Sequence, residues 1–70
     1  MQTLYDVQEW LKKYGFINLM PERIDAIYMM QNEIKELHER GILADNDADF
    51  LKASLILKRE ARIESTKNEK

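Results

Sequence analysis

Apolar residues recur at helical spacing in three stretches, and the chain's two glycines fall between them. Leu4, Val7, Leu11 and Tyr14 form the stripe of a first helix predicted over residues 4–14, with Trp10 flanking it. Thr3 suits its N-cap, and Asp6 three residues on gives a capping box and a charge that favours the helix dipole. Gly15 stops it, because glycine readily takes the left-handed conformation of a helix end. Phe16 to Met20 are then a short apolar connector expected to pack over one end of the core.

A second helix is predicted over residues 21–40. Pro21 suits its first turn, where a missing N–H is no loss, and Gly41 suits its stop. Ile24, Ile27, Met30, Ile34 and Leu37 form its stripe, while Glu36 and Arg40 are spaced for an i,i+4 ion pair. A third helix is predicted over residues 46–63, capped by Asn46 or Asp45. Ala48, Phe50, Leu51, Ala53, Leu55, Leu57 and Ala61 give it a core arc wide enough to face two neighbours. Three helices with short connections predict an all-α fold, a compact three-helix bundle forming one domain over residues 1–64. Residues 65–70 are polar and are expected to fray.

Size and charge narrow the picture. Seventy residues leave no room for a second core, and a chain this short buries only about 60% of its unfolded surface. It has no cysteine, so neither disulfides nor thiolate ligands can reinforce it. No apolar run approaches the roughly 18 residues of a membrane span. Met1 leads almost directly into amphipathic helix, without a basic and then apolar leader, so a soluble cytoplasmic protein is expected. The net charge of −2 gives no general attraction to nucleic acid. It is unevenly placed, with +2 over residues 58–70 and −4 over the remainder.

Candidate chemistry is sparse. Asp45, Asp47 and Asp49 stand at positions 1, 3 and 5 of a possible calcium loop, but Phe50 and Ile56 occupy the places of its essential Gly and Glu. An acidic helix N-terminus accounts for the run, and no metal is expected. His38, the one histidine, falls on the stripe of the second helix and reads as a semi-buried ring with one hydrogen bond. Ser54 lies on the buried side of the third helix with no triad around it, and two glycines far apart make no phosphate loop. Neither an enzyme nor a cofactor is expected. A helix-turn-helix reading of the last two helices fails because Asp45, Asp47 and Asp49 would face phosphates, so no duplex DNA is expected.

The residues that break the helical pattern define a candidate surface. Tyr5 lies off the first stripe and Met29 off the second. Ile56 and Ile63, seven apart, lie off the core arc of the third helix with Lys52 and Arg59 beside them. Arg23 lies near the apolar stripe of the second helix, where it calls for a partner such as Asp6. Lys52, Ile56, Arg59 and Ile63 read as a docking strip for a protein partner or a second copy of the chain. Arg23, Lys52, Arg59 and Arg62, with Tyr5 as a stacking ring, read alternatively as a sequence-tolerant site for single-stranded nucleic acid.

Several pieces carry a family resemblance. They are Leu4-Tyr5-Asp6-Val7-Gln8, Leu11 and Tyr14-Gly15; Arg23, Asp25, Met30, Glu33 and Leu37; and Phe50, Ala53, Ile56-Leu57, Arg59 and Glu60. In this order and spacing the chain resembles the YqgQ-like family of small bacterial proteins of unknown function. The resemblance implies a three-helix bundle from Gram-positive bacteria. Single-stranded nucleic-acid binding has been suggested for that family on structural likeness alone. The chain departs from the family pattern between Phe16 and Glu22, and His38 stands where a Tyr is expected.

Overall fold

The computed structural model describes residues 1–68. Helix α1 spans Leu4–Leu11 and tightens into a 3-10 turn over Lys12–Tyr14; α2 spans Arg23–Glu39 and α3 spans Ala48–Asn68. The three pack as an all-α bundle, with α3 against both α1 and α2. No strand occurs among the described residues.

The capping box at α1 forms as expected. The Asp6 N–H donates to Thr3 Oγ1 at 3.2 Å, while Asp6 Oδ2 accepts from the Gln2 and Thr3 amides at 2.8 and 3.1 Å. Those bonds, the Gln2 amide first and Thr3 next, hold the Asp6 carboxyl below its ordinary pKa. Both glycines act as left-handed stops, Gly15 at φ 87° and Gly41 at φ 78°. Each closes the paired bonds of a Schellman motif. At Gly15 these run from its own N–H to Lys12 O and from Phe16 to Leu11 O; at Gly41, from its own N–H to His38 O and from Ile42 to Leu37 O. Each stop turns an apolar residue back onto the bundle, Phe16 in one case and Leu43 in the other, and both are buried.

Helix limits shift in three places. Pro21 lies before α2 rather than inside it, and Glu22 holds the extended cap position. Asn18 Oδ1 captures the Met20 N–H at 3.0 Å, a local turn that keeps the connector extended and delays the helix. Asp47, rather than Asn46 or Asp45, caps α3 by accepting from the Phe50 N–H at 2.9 Å. At its far end α3 continues through 65–68, where fraying was expected; Thr66 bonds to Arg62 O and Lys67 reaches Glu64. Residues 69 and 70 of that expected tail lie outside the described residues. Arg40 makes no ion pair with Glu36; its backbone N–H caps the Glu36 carbonyl instead.

The core centres on Val7, Leu11, Ile27, Met30, Leu43 and Leu57. Trp10, expected at the flank, is buried, whereas Tyr14, expected on the stripe, is exposed. The 3-10 turn explains the exchange. It advances about 120° per residue instead of 100°, so Tyr14 swings off the stripe. It then packs edge-on against Trp10, with ring centroids 5.6 Å apart. The connector is covered only at Phe16: Ile17, Leu19 and Met20 are all exposed, Leu19 at 80%.

Candidate interaction surface on the outer face of the third helix

The core arc of α3 is rotated from the one that its pattern suggests. Ile56, expected on the surface, is 6% exposed and belongs to the core; Leu55, expected in the core, is 69% exposed. Leu51 and Ala48, also placed in the core by their spacing, face solvent. The reason lies in α3 itself. Leu51, Leu55, Ile56 and Ile63 surround the Ala53–Leu57 line on both flanks, so periodicity does not choose a phase. Packing within the bundle chooses it, and Ile56 lies in the core. The exposed side then carries Leu51, Leu55 and Ile63 together with Lys52, Arg59 and Arg62.

Charge is sorted across the same helix. Arg23, at the first turn of α2, reaches Glu60 Oε1 at 2.6 Å and Glu64 Oε1 at 3.0 Å. Both carboxylates are mostly covered, at 13% and 12% side-chain exposure. Hydrogen bonding to Arg23 is the main cause that holds the Glu60 carboxyl below its ordinary range, with Arg59 adding to it. The expected Arg23–Asp6 contact does not form, because Asp6 is committed to the α1 cap. Arg59 is tethered in turn, donating to the Gln2 carbonyl at 3.0 Å and reaching Glu60 at 3.4 Å. From Leu51 to Lys67, Glu60 and Glu64 are the only carboxylates of α3, and both turn inward.

The seven candidate residues therefore separate. Lys52, Ile56 and Arg59 line a groove between α3 and the N-terminal residues Met1 to Thr3, with Leu55 at its edge. Tyr5, 67% exposed, shares a different groove with Arg23, Met20 and Pro21. Arg62 and Ile63 lie farther along the outer face of α3 and border neither. Leu51 and Leu55 were missed by the sequence reading, although their i,i+4 spacing with Arg59 marks one face of a helix.

His38 takes the packing role read from its position. Its half-buried ring stacks on Phe50, centroids 4.8 Å apart and planes 5° from parallel, and Nε2 hydrogen-bonds Asp45 Oδ1. The acidic run is thus divided among tasks, with Asp45 on His38 and Asp47 on the α3 cap. Among the described residues no group of three or more His, Asp or Glu side chains is placed to hold a metal ion. No helix among them is long and apolar enough to cross a membrane.

Comparison with known proteins adds relationship but no activity. The model of the family described as YqgQ-like matches residues 1–63. The uncharacterized protein YqgQ of Bacillus subtilis (strain 168) is 35% identical over 68 residues, covering 97% of this chain and 90% of the relative. No solved structure matches significantly.

Proposed function

Because the chain belongs to the YqgQ-like family and its matched relative is uncharacterized, we propose a function from the surface itself. The protein is a small non-enzymatic interaction module whose α3 outer face docks a protein partner carrying an acidic amphipathic helix. One observation carries this reading: α3 presents Leu51, Leu55 and Ile63 beside Lys52, Arg59 and Arg62, while Arg23 holds Glu60 and Glu64 inward. Apolar contact supplies affinity, and complementary charge fixes register and rate. A second copy is the poorer occupant, since a twofold pairing of this face would set cation against cation.

Single-stranded nucleic acid is the second reading, favoured by the same row of cations without an outward carboxylate. It is weakened by Arg23, already engaged by Glu60 and Glu64, and by Tyr5, which lies in a separate groove.

The test is anisotropy with two labelled probes, a synthetic Leu/Glu amphipathic helix and a mixed-sequence single-stranded oligonucleotide, each at low and moderate salt. The peptide should bind at both salt concentrations and be lost with Leu51→Asp/Leu55→Asp. Oligonucleotide binding with a steep salt slope, abolished by Arg62→Glu, would install the second reading instead. If the double aspartate variant binds the peptide as well as the parent does, the docking face is misassigned.

A further inference from the structure

We propose that the groove between α2 and α3, whose Lys58 edge adjoins the proposed docking face, binds a small aromatic carboxylate. The groove has a volume of about 360 Å³, within the general range of about 300–1,000 Å³ for small-molecule sites. Buried Ile34 together with the His38 and Phe50 rings gives it an apolar wall of aromatic character. Lys35 from α2 and Lys58 from α3 stand at its rim. Among the described residues neither ammonium is paired with a carboxylate.

Of the polar groups at the groove, Gln31 is uncharged and two others are already engaged. Asp45 accepts from His38, and the Ser54 hydroxyl donates to the Phe50 carbonyl at 2.8 Å. The groove therefore joins aromatic surface to unneutralised positive charge. A planar ring lies against the His38–Phe50 wall by stacking. Its anionic group meets Lys35 and Lys58, which an uncharged ring of equal size leaves without a partner. This chemistry does not depend on the outer face of α3.

Titration of the full chain with 2-naphthoate, followed by two-dimensional amide NMR, tests the assignment; uncharged 2-naphthalenemethanol is the matched control. Saturable shifts centred on Ile34, Lys35, His38, Phe50 and Lys58 are expected, with the alcohol roughly five-fold weaker. Lys35→Gln/Lys58→Gln should remove that preference while leaving the far-UV spectrum unchanged. Leu51→Ser/Leu55→Ser, which removes the apolar docking side chains without placing a carboxylate beside Lys58, should bind naphthoate as the parent does, which separates this site from the docking face. Equal affinity for the alcohol, shifts centred on Leu51 and Leu55, or no saturation at millimolar naphthoate would each overturn the proposal.

Discussion

The two sides of α3 use the same residue types for opposite ends. Inward, Leu57 and Ile56 belong to the buried core, and Glu60 and Glu64 meet the guanidinium of Arg23, 37 residues from Glu60 in sequence. Outward, Leu51 and Leu55 meet solvent, and Lys52 and Arg62 have no carboxylate beside them among the described residues. The difference teaches that neither hydrophobicity nor charge alone marks the stabilising side of a short helix. What marks it is whether a neighbouring helix supplies the complementary group.

That contrast can be broken most sharply by truncating one leucine on each side. Leu57→Ala should cost about 2–5 kcal/mol, a large part of the stability of so small a domain, while Leu55→Ala should stay within about 0.5 kcal/mol. Urea denaturation of the pair measures both, and equal losses would sink the assignment of faces. Arg23→Met comes next, at about 1–2 kcal/mol, because it leaves two largely covered carboxylates with only their longer contacts to Arg59 and Lys67. NMR titration of Glu60 should then show its carboxyl returning upward toward the ordinary range.

Gly41→Ala should cost about 1 kcal/mol. The space beside Gly41 is open, so the loss comes from its positive φ alone. Thr3→Ala should cost a similar or smaller amount, about 0.5–1 kcal/mol, by opening the α1 cap. Thermal melts resolve both, at roughly 4–8 °C per kcal/mol for a domain of this size. The smallest effect is that of acid. Asp6 and Glu60 are both depressed in the folded state, so their contribution is present above the unfolded carboxylate value of about 4. It is lost as pH falls through the folded values, and Arg23→Met should shrink the Glu60 share of that loss.

Much of the bundle was legible because its local signals are self-contained. Thr3 with Asp6, Gly15 and Gly41 each set a backbone conformation from residues within one turn. The His38 role was legible for the same reason, given its place on a regular stripe. The surface of α3 was not. Its phase is decided by packing against the other two helices, a long-range fact, and apolar residues on nearly every side give periodicity little to choose between. Ile56→Asp, a natural test of the sequence-derived strip, would therefore damage the core rather than a binding face. Arg23 was correctly singled out as a charge in need of a partner, but the cap at Asp6 withheld the near one and the fold supplied Glu60 and Glu64.

The connector after Gly15 has a consequence for how the molecule is dismantled. Between Ile17 and Met20 the backbone is extended, outside any helix, and carries the kind of large apolar side chains that chymotrypsin-like proteases select. A cut there would release α1 with Trp10 and strip the cover from Ile27 and Leu57, while α2 and α3 stayed joined through Leu43. A peptide open to hydrolysis is thus one whose loss turns three helices into a two-helix remnant.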